Sequence, residues 1–400
     1  MIYKEFQDLK LSALGFGTMR LPWKADNSGE IDQVEVDRMI DYAMEHGVNY
    51  YDTAYPYLNS LSEIAVGKSL SRYPRESWYL ATKYPGHQNA KGAAVLDPKA
   101  VFEDQLKKCG VEYFDFYLMH NVNENSLSFY CGEDRSFMDY FVEQKKLGRI
   151  KHLGFSAHCE VPGIKQFMAL YGEHMEFCQI QLNYLDWTLQ KAKEKVEYLN
   201  SINMPIWVME PVRGGKLSKL DDATEAVMRQ LRPEESTSAW AFRWLQTVPQ
   251  PTMILSGMTT FEQVVDNVKT FSEEKLLSEE EIAILNAAAE KFATLVPCTA
   301  CRYCCKGCPM GLDIPNLITL HNDLLMGYNI NIPIRYGSFD EDKRADSCIS
   351  CGQCTAACPQ SIDVPSVLAD FAQKMSQYED WDSICRTRNA IAAEMLANKK

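Results

Sequence analysis

The sequence predicts an α/β protein in which a (β/α)8 barrel, the TIM-barrel architecture, is followed by a small, mainly helical domain. Short β-rich segments alternate with longer amphipathic segments from residue 11 to about 270. Hydrophobic residues make up 46% of the 400 residues, which is enough apolar surface for one large core and a small appended unit. Nine of the fourteen cysteines then fall between residues 298 and 358.

The barrel prediction depends on eight short hydrophobic segments, with amphipathic segments between them. The predicted strands are LSALGFGT (11–18), VNYYDT (48–53), SWYLATKY (77–84), YFDFYLMH (113–120), IKHLGFSA (150–157), FCQIQLNY (177–184), PIWVMEPV (205–212) and QPTMILSG (250–257). Helix candidates between them include DQVEVDRMIDYAMEHG and DPKAVFEDQLKKCG. The second ends in two lysines and Gly110, a common helix stop. Eight β-then-α units in about 260 residues match a (β/α)8 barrel.

The alternative fold for this region is a doubly wound open sheet. Such a sheet usually has fewer strands, and it carries a G-x-G-x-x-G fingerprint directly after the first strand. The corresponding segment in this chain is GFGTMRL, from residue 15, and it lacks that spacing. The barrel is therefore the favoured prediction.

A change in composition near residue 295 predicts a domain boundary. Residues 278–294 are expected to form a helix that begins with a capping box, Ser278 and Glu281. Beyond it, CTACRYCCKGCPMGLDIPNLI from 298 and CISCGQCTAACPQSIDVPSVL from 348 align without gaps at an offset of 50 residues. This internal duplication predicts two domains, the barrel at 1–295 and the cysteine-rich domain at 296–400.

Each copy of the duplication has the spacing C-x2-C-x2-C-x3-C-P, which is typical of bacterial ferredoxins. In that motif three cysteines bind one [4Fe–4S] cluster and the fourth, before proline, binds the other. The alternatives are zinc or reduced thiols, but zinc ribbons use two C-x2-C pairs separated by a longer span. The predicted cluster ligands are Cys298, Cys301, Cys304, Cys308, Cys348, Cys351, Cys354 and Cys358.

The register of the first motif is ambiguous because Cys305 follows Cys304 directly. The duplication resolves this, since the equivalent of Cys305 is Thr355, and it makes Cys305 a spare thiol. The region resembles two-[4Fe–4S] ferredoxin-like modules of the helical kind, because IPNLITLHNDLLMG and VPSVLADFAQKMSQ after the motifs have helical patterns. That resemblance implies that Cys308 binds the cluster held mainly by the second motif, and Cys358 the first.

Charge and hydropathy exclude several other classes of protein. The chain has 54 acidic and 41 basic residues, a balance that argues against a nucleic-acid surface. No run approaches the ~20 apolar residues of a membrane span. The first residues, MIYKEFQDLKLSALGFG, lack the apolar core of a signal peptide, so a cytoplasmic protein is expected. The last segment, DWDSICRTRNAIAAEMLANKK, is expected to be a solvated docking helix.

Four ionisable residues are predicted to meet at the catalytic face of the barrel. Asp52, Lys83 and His120 end the second, third and fourth predicted strands, and Tyr57 follows in the loop after Asp52. Each alone is more often a solvated or satisfied polar group, but the carboxyl ends of barrel strands converge on one face. A cation beside a phenol lowers the phenol's pKa, so the group is suited to proton transfer.

These residues also resemble the aldo-keto reductase superfamily, in its iron–sulfur-containing branch. The resemblance is carried by DTAYPY from Asp52, Ser62-Glu63, ATK ending at Lys83, YLMH ending at His120, GFS, QLNY, PVRGGKL and SGMTTFEQVVDNVK. It implies an oxidoreductase that reduces a small carbonyl compound. In that reaction Tyr57 donates the proton, Lys83 and Asp52 adjust the pKa of Tyr57, and His120 orients the substrate oxygen.

The resemblance also implies that NAD(P)H binds at this face. Ser156 and Gln181 would hold the nicotinamide carboxamide, residues 213–217 the pyrophosphate, and residues 256–267 the adenosine end. The implied cofactor-binding residues are Gly17, Thr18, Asp52, Ser156, Gln181, Met209, Arg213, Gly214, Gly215, Leu217, Ser256, Gly257, Gln263 and Asn267.

Several positions depart from the family's pattern and leave the cofactor open between NADH, NADPH and a flavin. Ala157 follows Ser156 where asparagine is common, and Met209 replaces the aromatic residue that stacks under the nicotinamide. Gly257 and Gln263 stand where NADPH-specific members have a lysine and an arginine, so two charge-assisted contacts are lost.

The two halves of the chain also differ in their electron chemistry. Hydride carries an electron pair, whereas each cluster passes one electron, and a flavin usually joins the two. A ferredoxin or flavoprotein partner is therefore expected. The alternative function is a cofactor-sensing or electron-transfer subunit with little turnover of its own.

Overall fold

The protein is described by a computed structural model that covers residues 1–25, 29–88, 96–123, 126–292, 295–326, 328, 331–380 and 383. The chain divides into two compact units, Met1–Lys291 and a second that begins at Phe292. Cys385 and the docking helix expected from residue 380 lie outside the described residues, apart from residues 380 and 383. None of the described helices is long and apolar enough to cross a membrane.

The first unit is a closed barrel of eight parallel strands, which confirms the predicted fold. The barrel order is β10-β3-β4-β5-β6-β7-β8-β9, with every neighbouring pair parallel. The strands are β3 (Leu14–Gly17), β4 (Tyr50–Asp52), β5 (Tyr79–Tyr84), β6 (Phe114–Val122), β7 (Ile150–Ala157), β8 (Phe177–Gln181), β9 (Ile206–Met209) and β10 (Pro251–Gly257). Each lies within one of the predicted segments, except that β6 continues two residues past His120, the predicted strand end, and that the first segment is divided between two strands.

An N-terminal hairpin explains that division. Strands β1 (Tyr3–Phe6) and β2 (Leu9–Ser12) pair antiparallel, so the segment predicted as one strand from residue 11 ends the hairpin at Ser12 and restarts the barrel at Leu14. Phe6 of the hairpin packs on Phe116 and Trp207, with ring centroids 5.7 and 4.9 Å apart. Because both partners lie near the starts of their strands, the hairpin closes the N-terminal end of the barrel.

Helices surround the barrel, and local capping residues set their limits. Asp97 accepts the backbone N–H groups that begin α3, and Gly110 ends it in the left-handed conformation at φ 66°, as predicted. Ser278 and Glu281 form the predicted capping box of α12. The helices are α1 (Gln33–Glu45), α2 (Ser62–Leu70), α3 (Pro98–Cys109), α4 (Leu127–Tyr130), α5 (Ser136–Lys146), α6 (Val161–Tyr171), α7 (Asp186–Leu189), α8 (Ala192–Ser201), α9 (Asp222–Leu231), α10 (Thr237–Thr247), α11 (Phe261–Thr270) and α12 (Glu279–Phe292).

The second unit is helical, as predicted, and repeats one local pattern twice. A short helix contains the third cysteine of each motif, and a longer helix follows each Cys-Pro. The helices are α13 (Tyr303–Lys306), α14 (Ile314–Met326), α15 (Asn331–Gly337), α16 (Gln353–Ala357) and α17 (Val364–Met375). Leu317 and Leu368, one from each longer helix, are fully buried in the core of this unit together with several of the cysteines. The duplicated sequence therefore builds one shared core.

Candidate active site and cysteine cavities

A buried ion pair lies at the carboxyl end of the barrel. Asp52 is the last residue of β4 and Lys83 lies near the end of β5, and both are buried. The Lys83 ammonium donates to an Asp52 carboxylate oxygen and, over 2.7 Å, to the Thr53 carbonyl. Burial raises the pKa of Asp52 and lowers the pKa of Lys83, and their attraction opposes both shifts. The pair fixes the Lys83 ammonium in place.

Tyr57 is brought against this pair by a strained turn. It begins the turn Tyr57–Ser60, in which Leu58, Asn59 and Ser60 have φ of 52°, 56° and 68°. The Lys83 ammonium lies 5.0 Å from the centre of the Tyr57 ring. Three consecutive residues in the left-handed region are a rare backbone arrangement, which persists only when the surrounding structure holds it.

His120 completes the group that the sequence predicted. Its ring lies 5.7 Å from the Tyr57 ring at an interplanar angle of 79°, and its Nδ1 has no partner among the described residues. Burial lowers the pKa of His120 well below its usual range, and the nearby His87, Lys83 and His158 lower it further. The imidazole is therefore neutral at physiological pH and suited to a hydrogen bond with a polar ligand. The structure thus brings Asp52, Tyr57, Lys83 and His120 together.

His87, which was not among the residues predicted from the sequence, joins this group. It lies in the turn Gly86–Gln88 just after β5, and its ring centre is 4.8 Å from that of His120. Its Nδ1 contacts the His120 carbonyl at 3.2 Å, and burial lowers its pKa to about 4. The available signal was a histidine four residues after Lys83, at a strand end that already carried a predicted catalytic residue.

The residues predicted to hold the nicotinamide carboxamide are engaged by the protein. The Ser156 hydroxyl accepts the Asn121 backbone N–H at 2.7 Å, and the Gln181 amide donates to Asp186 at 2.7 Å. Gly17 and Thr18 hold neighbouring strands together: the Thr18 hydroxyl donates to the Asp52 carbonyl at 2.9 Å. A Cβ on Gly17 would lie 3.2 Å from the Ser256 carbonyl oxygen, so β3 and β10 approach closely there.

The loop predicted to bind the pyrophosphate is partly available. Arg213 is buried, and its Nε donates to both Asp186 oxygens at 3.1 Å, while its Nη2 has no partner among the described residues. Gly214 and Gly215 have φ of 63° and 91°, where glycine is favoured, and a Cβ on Gly215 would meet nothing within 4 Å. Leu217 is fully buried and packs in the interior. The Gly215 N–H donates to the Val212 carbonyl at 3.0 Å, so the open space beside Gly215 and the Arg213 Nη2 are what this loop offers an anion.

Glu210 is a second residue that the sequence did not single out. It follows Met209, the half-buried last residue of β9, and its φ of 57° is unusual outside glycine. One carboxylate oxygen lies 3.8 Å from Arg20, and the other is buried without a partner among the described residues. Burial raises the pKa of Glu210, and Arg20 opposes that shift. The carboxylate lies close to the loop that would hold a pyrophosphate.

The adenosine end of the predicted site offers no cation from its own residues. The Gln263 side chain accepts the Thr259 N–H at 2.7 Å as part of the cap of α11, and the Asn267 amide donates to the Ser256 hydroxyl at 2.9 Å. Gly257 is exposed, and a Cβ there would lie 3.5 Å from the Arg20 side chain. Arg20 therefore reaches from Gly257 toward Glu210.

In the second unit the cysteines line two cavities. The first is lined by Cys298, Cys301, Cys304 and Cys358. The second is lined by Cys308, Cys348, Cys351 and Cys354. These are the two sets that the ferredoxin resemblance implies, with the last cysteine of each motif exchanged between them. Cys305 lines neither cavity and packs against the core.

The cavities suit a cluster better than a single ion. Among the described residues no three His, Cys, Asp or Glu side chains meet closely enough to share one metal ion. In a [4Fe–4S] cluster each thiolate binds a different iron, so the sulfurs surround a volume. The donor set, four cysteines around each cavity, is the chemistry that such clusters require.

Comparison with known proteins identifies both parts of the chain. The model of the aldo/keto reductase family matches residues 13–290. The chain belongs to the aldo/keto reductase family. The model of a 4Fe-4S dicluster domain matches residues 297–363. The chain is thus an aldo/keto reductase with a C-terminal 4Fe-4S dicluster domain, as the sequence predicted.

Individual relatives are distant. A probable aldo-keto reductase 1 from Glycine max is 28% identical over 52% of this chain, which spans 58% of that relative. An NADH-specific methylglyoxal reductase from Escherichia coli is 24% identical over 71% of this chain and 96% of its own length. Among solved structures, an aldo/keto reductase from Klebsiella pneumoniae in complex with NADP and acetate is 19% identical, with a TM-score of 0.56, over 70% of this chain and 93% of its own. That structural likeness supports the fold.

Proposed function

We propose that the barrel reduces a small carbonyl compound, with Tyr57 as the proton donor. The observation that carries this proposal is the meeting of Tyr57 with Lys83 and His120 at the carboxyl end of the barrel. The Lys83 ammonium faces the Tyr57 ring at 5.0 Å, and the His120 ring stands 5.7 Å from the same ring. A proton donor beside a hydrogen-bonding imidazole suits a carbonyl oxygen, which gains a proton when it is reduced.

Each residue of this group has a separate task in the proposal. His120 is neutral and carries an unpartnered ring nitrogen, so it can orient the substrate oxygen without competing as an acid. Lys83 places a positive charge at the phenol, and Asp52 holds Lys83 in position. Tyr57 delivers its hydroxyl proton to the oxygen. When bound, NAD(P)H supplies the hydride that reduces the carbonyl carbon.

We propose that the nucleotide is held by Met209, by Arg213 and by the two glycines that follow it. The open space at Gly215 and the Arg213 Nη2, which has no partner in the part of the chain that the structure describes, support this proposal. Neither Gly257 nor Gln263 supplies a cation for a 2′-phosphate, so we expect NADH to bind at least as well as NADPH. The Escherichia coli relative described as NADH-specific agrees with that expectation.

We propose that each cysteine cavity holds one [4Fe–4S] cluster, bound by the four cysteines that line it. The clusters supply single electrons, and an outside carrier, a ferredoxin or a flavoprotein, exchanges electrons with them. The exchange of Cys308 and Cys358 between the two cavities supports this assignment, since it is the crossing that the two-cluster motif requires.

The test of the proton donor is Tyr57→Phe, compared with Tyr55→Phe. Tyr55 is the matched control because its ring faces Lys108 at 4.1 Å instead of Lys83. In an anaerobic assay with NADH, NADPH and a panel of small aldehydes and ketones, Tyr57→Phe should lower kcat/KM by about 10²- to 10⁴-fold, the usual contribution of general acid catalysis. The control should stay near wild type. Wild-type turnover by Tyr57→Phe would overturn the proposal.

A second function is favoured by the negative charge of the loop predicted to bind the pyrophosphate. Arg213 is held by Asp186, and Glu210 adds negative charge to the same loop, which suits a subunit that senses or relays electrons with little turnover. In that case the wild-type protein would bind nucleotide or form a stable complex with a partner, yet convert no carbonyl compound. Iron, sulfide, flavin and nucleotide analysis of anaerobically purified protein, beside the same assay, separates the two functions.

A further inference from the structure

The duplicated motifs are folded alike but covered differently. We call residues 298–302 the first cysteine loop and residues 348–352 the second cysteine loop. Ala300 and Ser350, at equivalent places, have φ of 57° and 55°, and the next equivalent pair, Arg302 and Gly352, has 65° and 73°. The local backbone is therefore the same in both loops, so any difference in exposure comes from what covers them.

That difference is large at the residue after the first cysteine. Thr299 is 4% exposed, whereas its equivalent, Ile349, is 60% exposed. Ser350 and Cys351 are exposed as well, while Ala300 and Cys301 are half-buried. Ile349 and Cys351 both line the second cavity. The second cavity thus reaches the protein surface at Ile349 and Cys351, whereas the exposed residue of the first cysteine loop is the cation Arg302, which lines the first cavity.

The exposed Ile349 beside the second cavity is typical of the centre of a small protein–protein interface. Interface cores are apolar and lie inside a polar rim, and transient electron-transfer complexes bury less than about 1,200 Å². The segment that leads into the second cysteine loop supplies that rim. Lys343 of this segment donates to the carbonyl of Met310, a residue that lines the second cavity, at 2.8 Å.

The rim is predominantly acidic. Asp340, Glu341, Asp342 and Asp346 are exposed. The Lys343 ammonium, besides its bond to the Met310 carbonyl, pairs with Asp342 at 3.1 Å, so part of its charge is neutralised. A partner that presents lysines or arginines around its redox centre would complement such a rim, and opposite charges speed the encounter of two proteins.

We infer that the second cavity holds the cluster that exchanges electrons with an outside protein, and that the partner is a one-electron carrier docking on Ile349 with a basic rim around its redox centre. This inference rests on the proposed binding of a cluster by Cys308, Cys348, Cys351 and Cys354. With the cluster bound, one electron would pass between it and the carrier in each encounter, so that one is oxidised and the other reduced, and no proton moves. Beside the first cavity the residue equivalent to Ile349 is the buried Thr299, which does not offer the same apolar contact.

The test uses the full chain, purified and reduced anaerobically, with a lysine-rimmed c-type cytochrome as the probe. Stopped-flow absorbance follows reduction of the cytochrome by wild type, by Ile349→Asp and by Leu147→Asp. Leu147 is the matched control because it is 61% exposed, as Ile349 is, but lies on the barrel unit. Ile349→Asp should lower the second-order rate constant about tenfold, as the loss of a central apolar contact does, and Leu147→Asp should leave it unchanged.

Two further measurements locate the exchange. The wild-type rate should fall as salt is added, and the double variant Asp342→Asn, Asp346→Asn should weaken that dependence. Cys301→Ser, which removes a ligand of the first cluster, should retain most of the rate, whereas Cys351→Ser should lose it. If Ile349→Asp, with a wild-type level of the second cluster by electron paramagnetic resonance, reduces the cytochrome at the wild-type rate, or if Cys351→Ser retains that rate, the inference is wrong. A wild-type protein without iron and sulfide would instead overturn the proposed cluster binding.

Discussion

The barrel site and the cysteine cavities both hold reactive groups in place, but they draw those groups from different parts of the chain. Asp52, Lys83 and His120 come from three different strands, and they meet only because the barrel closes. Three of the four cysteines around each cavity come from one short segment of the chain, and only the fourth comes from the other copy of the motif. The catalytic group therefore depends on the whole fold, whereas most of each cysteine set depends on local spacing. A substitution in the catalytic group should therefore lower the stability of the barrel. A substitution of one cysteine should change only the metal content of its own cavity.

Lys83→Met is the strongest test of that contrast. It leaves the Asp52 carboxylate buried and unpaired, which costs about 3–5 kcal/mol for such a pair, and it removes the cation at Tyr57. We expect a loss of kcat/KM of about 10²-fold or more and a lower denaturation midpoint. Lys193→Met is the control, since Lys193 and Glu197 form an exposed pair that contributes at most about 1 kcal/mol. Equal stability of the two variants would contradict the coupling of this site to the fold.

Two adjacent cysteines, Cys304 and Cys305, test whether a cysteine substitution affects only its own cavity. Cys304 lines the first cavity and Cys305 does not, although they are neighbours in the sequence. Cys304→Ser should lower the iron and sulfide bound per chain by about half, the share of one of two clusters, because one of that cluster's four irons loses its ligand. Cys305→Ser should keep the wild-type content. The carbonyl turnover of the barrel should survive in both variants, so a parallel loss of turnover in Cys304→Ser would show that the two units are functionally joined.

The smallest expected effect concerns Glu210. Its carboxylate lies beside the loop that is proposed to hold the nucleotide, and it is also the charge on which the second proposed function depends. Glu210→Gln removes a negative charge beside the loop predicted to hold the pyrophosphate and releases Arg20 from its ion pair at 3.8 Å, and we expect a gain of the order of 1 kcal/mol in nucleotide binding. The Kd for NADH, measured by fluorescence titration, should therefore fall by about threefold to tenfold. Glu5→Gln, on the hairpin at the opposite end of the barrel, should leave it unchanged. A weaker affinity in Glu210→Gln would mean that this carboxylate binds the ligand.

Much of the architecture could be read from the sequence because its signals are local. Alternating β and helical patterns predicted the eight barrel strands, Asp97 and Gly110 marked one helix, and the gapless duplication predicted the cysteine sets. The first strand was predicted too long because LSALGFGT has the pattern of one continuous β-rich segment, and only pairing with residues 3–6 shows that Leu11 and Ser12 belong to a hairpin.

By itself, then, the sequence determined the type and order of the barrel elements, the three residues at the strand ends with Tyr57 in the loop after the first of them, and the spacing of the thiols, since each depends on neighbours along the chain. Only the tertiary structure decided that Arg213 is engaged by Asp186, that His87 joins His120, and that Ile349 is exposed where Thr299 is covered. Those facts depend on burial and on partners distant in the sequence. Two loops of the same spacing and backbone thereby acquire different surroundings.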